Sequence, residues 1–246
     1  MRKPKMILFD YGNTLLYEPD WNAERGNHEL FKHIIRNPNN CSYDEIVQEV
    51  NAVFCEVNEV RKTFNYDIPC TTAHKLAYER LGIEFSLTPL QREVVFWSAA
   101  TPGAIVSHTE AMLEYLEKNK IRSAVISNNS WSGEAIKERI DRLLPNNRFE
   151  FVLSSCDYLV RKPDRRLFDI ALAKAGLSAD EAWYCGDSVD ADVYGAKNAG
   201  LFPVLFTGET PGDDSYKRGH DNLPADFNYL HVHDWCEMID ALESLR

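Results

Sequence analysis

Aspartates at the ends of two strand-like runs are the side chains best suited to chemistry in this chain. Asp10 follows the apolar run Lys5–Phe9 and precedes a Gly-containing turn, in the segment FDYGNTL. Asp187 ends the run WYCGD, and Asp192 follows it five positions later. Carboxylates in such places can act as nucleophiles or hold a hard cation such as Mg²⁺. For Asp10 taken alone, the alternative is an aspartate that only caps a turn.

Two further segments carry polar side chains suited to an anion. Ser127 follows an apolar run in AVISNNS, where its hydroxyl and nearby backbone N–H groups can hold a phosphate oxygen. Lys162 precedes Pro163 in RKPDRRLF, where the proline can start a helix. A lysine beside carboxylates can screen their repulsion from a phosphate. Taken singly, each segment also fits an ordinary strand end or a solvated cation.

Short apolar runs alternate with helical patterns along most of the chain. The predicted strands are Lys5–Phe9, Arg122–Ile126, Phe149–Leu153, Ala182–Cys185, Phe202–Phe206 and Phe227–Val232. Helical patterns lie between them near residues 107–118, 131–144, 164–175 and 190–199. This alternation predicts an α/β fold with a doubly wound, Rossmann-like parallel sheet. Ligands bind at the carboxyl edge of such sheets, which is where the four segments end.

The segment from residue 17 to 100 breaks this alternation. It shows no convincing strand, and seven apolar side chains fall on one helical face: Ile46, Val47, Val50, Val53, Phe54, Val57 and Val60. We therefore expect a core domain formed by residues 1–16 and 101–246. An all-helical domain of residues 17–100 would interrupt that core after its first strand.

Several helix ends carry local signals. Three capping boxes are predicted, formed by Ser42 with Glu45, Thr88 with Gln91, and Ser107 with Glu110. Gly176 is predicted to end the third core helix. Asp190 is predicted to cap the helix that follows Asp187, and residues 207–222 are predicted to form a surface loop.

Composition excludes several classes of function. The 246 residues include 27 basic and 38 acidic side chains, a net charge of −11, so no general attraction to nucleic acid or anionic lipid is expected. No apolar run approaches the roughly 18–20 residues of a membrane span. The apolar part of residues 1–9 is too short for a signal peptide. Six scattered cysteines without a CxxC pair predict reduced, mostly buried thiols and a cytoplasmic location.

The four segments occur in a fixed order, each after a successive parallel strand: Asp-turn, Ser, Lys-Pro, and Gly-Asp with a later Asp. In this order the chain resembles the haloacid dehalogenase-like (HAD) hydrolase superfamily, over essentially its whole length. The helical insert after the first segment resembles the type-1 cap of that superfamily.

The resemblance implies a reaction and a role for each matching residue. Asp10 would attack phosphorus and form an aspartyl-phosphate, which water then hydrolyses. Ser127 and Asn128 would contact the transferring phosphoryl group. Lys162 would orient Asp10 and neutralise charge. The substrate would be a small phosphorylated metabolite, and the protein a monomer or homodimer.

The resemblance also implies Mg²⁺ as the cofactor. Its ligands would be Asp10, the backbone carbonyl of Gly12, Asp187 and Asp192. Physical reasoning agrees, because a dianionic phosphate and a carboxylate nucleophile repel each other at contact distance. Three converging carboxylates without a cation would also hold about three negative charges.

One departure from the family pattern concerns the acid–base group. Phosphatase members read Asp-x-Asp-Gly-Thr, and the second aspartate protonates the leaving group and later activates water. Residues 10–14 read DYGNT here, so Gly12 replaces that aspartate. General acid–base help is worth ~10²–10⁴-fold. A second departure is Leu159, where the family often has glycine three residues before the lysine.

Three explanations of Gly12 stay open. The substrate has a good leaving group, or another group such as Tyr11 supplies the proton, or the protein binds a phosphorylated metabolite without turnover. A phosphonatase would need a cap lysine, with Lys32, Lys62 and Lys75 as candidates. Metal-free dehalogenases lack an acid at the position of Asp187, which argues against that branch.

The predicted cap carries cations that could meet an anionic substrate, with solvated helix faces as the alternative. They are Arg25, Lys32, Arg36, Arg61, Lys62 and Arg80. The cap histidines His28, His33 and His74 have no metal-ligand spacing, so a structural role is expected for them.

Overall fold

A six-stranded parallel β-sheet forms the centre of the computed structural model, which describes residues 2–211, 223–224 and 226–245. The strands of the described chain are β1 (Met6–Phe9), β2 (Leu16–Tyr17), β3 (Ile34–Arg36), β4 (Glu84–Phe85), β5 (Ala104–Ile105), β6 (Arg122–Ser127), β7 (Phe149–Ser154), β8 (Ala182–Gly186), β9 (Phe202–Phe206) and β10 (Leu230–Val232). The central sheet has the order β10-β9-β8-β1-β6-β7, and every neighbouring pair is parallel. The predicted α/β class is confirmed.

Helices cover both faces of this sheet. The helices of the described chain are α1 (Ala23–Phe31), α2 (Tyr43–Phe64), α3 (Cys70–Leu81), α4 (Pro89–Ala100), α5 (Thr109–Lys118), α6 (Gly133–Leu143), α7 (Ser155–Tyr158), α8 (Arg165–Ala175), α9 (Gly195–Ala199) and α10 (Trp235–Glu243). The predicted helix over 190–199 is in fact a π-helical turn, Val189–Tyr194, followed by α9.

Strand β1 shows how the two faces are buried. Its four residues are fully buried and alternate between two apolar clusters. Ile7 and Phe9 pack in the cluster that includes α5, α6 and α10, whereas Met6 and Leu8 pack in the cluster that includes α8 and α9. A strand buried on both faces reads as a continuous apolar run, which is why MILF carries no polar residue.

A third apolar cluster lies among helices α1–α4. It contains Leu30, Ile46, Val53 and Tyr78 in its centre. The predicted apolar face of α2 forms part of it, although Val60 near the helix end is 40% exposed. The proposed division of the chain at residues 16/17 and 100/101 stays a prediction.

The expectation of no strand between residues 17 and 100 is wrong. Strands β3 and β4 pair antiparallel inside this segment, and β2 pairs with β5 beside it. These strands have only two or three residues each, so they are too short to show the alternation that identifies a strand. The predicted strand Phe227–Val232 is likewise reduced to its last three residues, β10.

Two of the three predicted capping boxes are confirmed. Ser42 with Glu45 opens α2, and Thr88 with Gln91 opens α4. The third is wrong, because α5 begins after His108, a left-handed residue with φ of 63° that makes no side-chain cap. Gly176 ends α8 in the left-handed conformation, as predicted.

Other local predictions have mixed outcomes. The helix-capping role predicted for Asp190 belongs instead to Ser188, whose hydroxyl accepts the N–H of Ala191 at 3.2 Å. All six cysteines are free, and three of them are buried. Of the predicted loop 207–222, residues 212–222 lie outside the described residues. In the described chain, no helix combines the length and apolar character needed to cross a membrane.

His74 is a buried side chain surrounded by aromatic rings. It lies 5.2 Å from the ring of Phe54 and 5.5 Å from that of Tyr78, centre to centre. Burial lowers the pKa of His74 from 6.5 to about 4, and the positive charge of Arg92 adds to this effect. The structural role expected for this histidine therefore includes staying neutral.

We predict that His74 makes the fold sensitive to acid. The unfolded chain binds a proton at pH 6.5 while the folded protein does so only near pH 4, so the free energy of unfolding falls as pH is lowered through that window. The loss is at most about 3 kcal/mol. His74→Phe keeps a ring and removes the titration, so urea unfolding between pH 7 and 4.5 should vary less with pH. If the free energy of unfolding depended equally on pH in the wild type and in His74→Phe, the acid sensitivity would come from other titratable groups.

Candidate active site

Three neighbouring strands deliver polar side chains to one edge of the sheet. Strand β1 lies between β8 and β6, so Asp10, Ser127 and Asp187 lie together at their carboxyl ends. The N–H of Asp10 donates to the carbonyl of Cys185 at 2.8 Å, which joins β1 to β8 at that edge. All three residues line a cavity of about 370 Å³.

The three predicted carboxylates converge in this cavity. One oxygen from each of Asp10, Asp187 and Asp192 lies within 4.8 Å of the other two. The π-helical turn brings Asp192 back towards the strand, and the N–H of Ser188 donates to its Oδ2 at 2.9 Å. A Cβ on Gly186 would lie 2.4 Å from Cγ of Asp192. Glycine before Asp187 is therefore required for the close approach of Asp192.

Lys162 is the cation of this cluster. Its Nζ donates to Oδ1 of Asp10 and to Oδ1 of Asp192, both at 2.7 Å. Its third hydrogen bond goes to the hydroxyl of Tyr184 at 2.5 Å, and that hydroxyl donates to the carbonyl of Ile126 at 3.0 Å. Lys162 is only 2% exposed, so all of its donors are satisfied inside the protein.

Asn128 positions this lysine. Its side-chain amide donates to the carbonyl of Lys162 at 2.9 Å, and its side-chain oxygen accepts the N–H of Lys162 at 2.7 Å. The predicted contact of Asn128 with a substrate stays a prediction, as does that of Ser127. Both residues line the cavity beside Asp10.

The electrostatics of the cluster favour a bound cation. Burial raises the pKa of Asp10 to about 6 against the attraction of Lys162, and Asp192 raises it further. Burial, then Asp10 and Asp192, raises the pKa of Asp187 well above its usual range. Burial alone would lower the pKa of Lys162, but the two carboxylates more than offset this. Three carboxylates face one ammonium, so the donor set fits a hard divalent ion such as Mg²⁺.

Gly12 also lines the cavity, and space is open beside it. A Cβ at this position would meet no atom within 4 Å. Tyr11, the predicted alternative proton donor, instead donates its hydroxyl to Glu18 at 2.8 Å. Burial raises the pKa of Tyr11 well above 10, and the negative charge of Glu18 adds to this. Tyr11 is therefore poorly suited to exchange protons with a substrate.

Leu159 adopts a backbone conformation that favours glycine. Its φ is 63°, and its carbonyl accepts the N–H of Asp67 at 3.0 Å. The left-handed conformation costs roughly 1–2 kcal/mol in a residue with a side chain. The turn that leads to Lys162 is thus kept even though the glycine is absent.

Some residues of the site were missed by sequence reasoning. Tyr184 carries a hydroxyl inside an apolar strand, and its need for a buried partner was the available signal. Arg161 and Trp131 line the cavity from loops, where no periodicity marks them. Glu18 also lines it, paired with Arg139 at 2.6 Å.

The six predicted cap cations separate into two groups. Arg61 lines the cavity. The other five pair with acidic neighbours: Arg25 with Asp20, Lys32 with Glu29, Arg36 with Glu84, Lys62 with Glu59, and Arg80 with Glu49. Within the described part of the chain, none of Lys32, Lys62 and Lys75 lines the cavity, which disfavours the phosphonatase alternative.

Comparisons with known proteins agree with the geometry. The family described as haloacid dehalogenase-like hydrolase matches residues 101–205. The chain is 27% identical to a glyceraldehyde 3-phosphate phosphatase of Pyrococcus furiosus, over 84% of this chain and 82% of that protein. It is 25% identical to one of Methanocaldococcus jannaschii, over 98% of each chain. A ribulose-1,5-bisphosphate 5-phosphatase of Halopiger xanaduensis is 29% identical over 53% of this chain and 55% of that protein.

Solved structures share the fold. A HAD phosphatase from Thermococcus onnurineus has a TM-score of 0.57 and 20% identity over the full length of both chains. A HAD-superfamily hydrolase from Ehrlichia chaffeensis has a TM-score of 0.54 and 16% identity, over 100% of this chain and 98% of that one. These solved structures support the fold, and the sequence relatives support the activity class. The chain is a hydrolase whose residues 101–205 match the haloacid dehalogenase-like hydrolase family.

Proposed function

We propose that this protein is a Mg²⁺-dependent phosphatase that transfers the phosphoryl group of a small phosphorylated metabolite to Asp10 and then to water. The observation that carries the proposal is the bridge from Lys162 to Asp10 and Asp192, beside Asp187. The sequence relatives named above are phosphatases of small phosphorylated metabolites, which supports a substrate of this class.

Each step is assigned to residues of this chain. Lys162 holds Oδ1 of Asp10, which leaves Oδ2 as the oxygen that attacks phosphorus. The P–O bond to the leaving group breaks as the aspartyl-phosphate forms, and water then cleaves the new bond to regenerate the carboxylate. Ser127 lies beside Asp10 and can hydrogen-bond a phosphoryl oxygen. Asp10, Asp187 and Asp192, with the carbonyl of Gly12, would hold Mg²⁺, which neutralises negative charge on the phosphoryl group.

Gly12 sets the kind of substrate that reacts fastest. Because no acid stands at this position, the protein supplies little protonation to a departing oxygen. Acyl phosphates and aryl phosphates need little protonation, whereas alkyl phosphates need more. We therefore expect turnover of the first two classes to exceed that of simple alkyl phosphates.

The test is phosphate release from p-nitrophenyl phosphate and acetyl phosphate. We predict release that requires Mg²⁺, stops on addition of EDTA and returns with excess Mg²⁺. Asp187→Asn should lower the rate and weaken Mg²⁺ binding measured by calorimetry, because it removes one anionic oxygen ligand. Asp190→Asn is the matched control, since Asp190 is an exposed carboxylate in the same segment.

Two outcomes would contradict the proposal. Absence of release from both compounds, with Mg²⁺ present, would favour a protein that binds a phosphorylated metabolite without turnover. Chloride release from a 2-haloacid in the presence of EDTA would instead identify a metal-free dehalogenase.

A further inference from the structure

Two arginines reach the cavity from different parts of the chain. Arg61 lies near the end of α2, and Arg161 lies in the loop before α8, directly before Lys162. Both line the same cavity as Asp10. Because Lys162 is bound to Asp10, its neighbour Arg161 is fixed close to the reacting group.

A buried carboxylate holds both arginines. Asp67 is 1% exposed, and its Oδ1 lies 2.8 Å from Nε of Arg61 and 3.4 Å from Nη1 of Arg161. Its Oδ2 accepts the hydroxyl of Ser155 at 2.5 Å. An antiparallel bridge between Tyr66 and Val160 joins the two segments beside these pairs. The position of Asp67 is therefore set by the loop that carries Arg161.

These contacts leave positive charge and free donors. One carboxylate faces two guanidinium groups, and each guanidinium has five N–H donors. Within the described residues, neither arginine side chain makes a further ion pair or a hydrogen bond. Burial lowers the pKa of Arg161, and the repulsion of Arg61 acts in the same direction, against the attraction of Asp67. The two guanidinium groups together with Asp67 thus carry a net positive charge.

The rest of the cavity does not supply that charge. Glu18 is paired with Arg139, Asp10 and Asp192 are paired with Lys162, and Asp187 lies with them in the proposed Mg²⁺ site. Trp21, Trp97 and Trp131 form apolar parts of the wall. An anion beside two partly desolvated guanidinium groups is bound more tightly than it would be in water.

Resting on the proposed function, we propose that Arg61 and Arg161 bind a second acidic group of the substrate, away from the phosphoryl group that reaches Asp10. The substrate class is a small metabolite that carries one phosphate ester and a second carboxylate or phosphate. The relatives' names include both a monophosphate and a bisphosphate, so those names do not decide this point.

Three compounds on one carbon frame test this inference: n-propyl phosphate, 3-phosphooxypropanoate and 1,3-propanediol bisphosphate, together with their five-carbon counterparts. We predict that kcat/KM of the wild type is roughly 10- to 100-fold higher for at least one two-acid compound than for the matching alkyl phosphate. A higher kcat/KM for the compound with a carboxylate would identify the substrate as a phosphorylated carboxylic acid. A higher kcat/KM for the compound with a second phosphate would identify it as a bisphosphate.

The variants Arg61→Gln and Arg161→Gln should lose most of this preference. In each variant, the fall in kcat/KM should be at least roughly tenfold larger for the preferred two-acid compound than for the alkyl phosphate. Lys62→Gln and Arg165→Gln are matched controls, because each removes an exposed cation next to or near one of the pair. Thermal unfolding of every variant checks that the fold is kept.

Binding separates failure of this inference from failure of the proposed function. If p-nitrophenyl phosphate and acetyl phosphate are not turned over either, the phosphatase proposal fails. Calorimetry with the three-carbon and five-carbon compounds and Mg²⁺ still tests the two arginines in that case. Tighter binding of a two-acid compound that needs Arg61 and Arg161 would support the site. The inference would be overturned if the wild type bound all three compounds with equal affinity. It would also be overturned if Arg61→Gln and Arg161→Gln weakened the binding of all three compounds equally.

Discussion

Asp10→Asn is expected to abolish phosphate release, with a loss on the order of 10⁴-fold or more in kcat. The amide keeps the shape of the side chain but is not a nucleophile, and it removes one oxygen anion from the cluster that Lys162 bridges. Phosphate release from acetyl phosphate at saturating Mg²⁺ measures the effect. Because Asn cannot carry the phosphoryl group, the covalent intermediate should disappear together with turnover.

The intermediate gives this experiment a second readout. Acid quench of the wild type during turnover should leave a phosphoryl group on the peptide that contains Asp10, detectable by mass spectrometry. Asp190→Asn should keep both the rate and the phosphopeptide, because that carboxylate is exposed. Retention of a substantial rate in Asp10→Asn, or a phosphoryl group found on another peptide, would show that Asp10 is not the nucleophile.

Gly12→Asp is expected to raise kcat for alkyl phosphates by ~10²–10⁴-fold. A Cβ at Gly12 meets no atom within 4 Å, and its backbone lies outside the left-handed region, so the substitution fits without strain. The new carboxyl group would line the cavity beside Asp10, where it could protonate the leaving group and then activate water. The gain should be smaller for p-nitrophenyl phosphate, which needs less protonation.

Gly12→Asn is the matched control for this gain. It has nearly the same size as Asp and no titratable proton, so only the acid should raise the rate. Rates on an alkyl phosphate and on p-nitrophenyl phosphate, compared across the three proteins, isolate acid–base help from changes in binding. No gain in Gly12→Asp would mean that turnover is limited elsewhere, or that the protein binds its metabolite without reaction.

Much of the candidate site was predictable because it depends on where strands end. The run MILF is apolar throughout, which indicates a strand buried on both faces, and the next residue is Asp10. Parallel strands present their carboxyl ends at one edge, so Ser127 and Asp187 were expected beside it. The structure places all three in one cavity.

The contacts that couple these residues were not predictable from local patterns. The hydroxyl of Tyr184 reaches Lys162 across the sheet, and Asn128 holds the lysine backbone from another loop. The capping signal at Ser107 was present in sequence, yet His108 forms the helix boundary in the left-handed conformation. A local pattern reflects the conformational preference of a few residues, and packing against distant segments of the chain can override that preference.

By itself, the sequence determined the alternation of strands and helices, the edge of the sheet where chemistry is placed, and the order of Asp10, Ser127, Lys162 and Asp187 along it. Only the tertiary structure decided that Asp67 joins Arg61 to Arg161, two residues that lie 100 positions apart in the sequence. Periodicity records which face of an element is buried, because that property repeats every two or 3.6 residues. A contact between charged side chains on loops has no period, so it becomes visible only when the chain is folded.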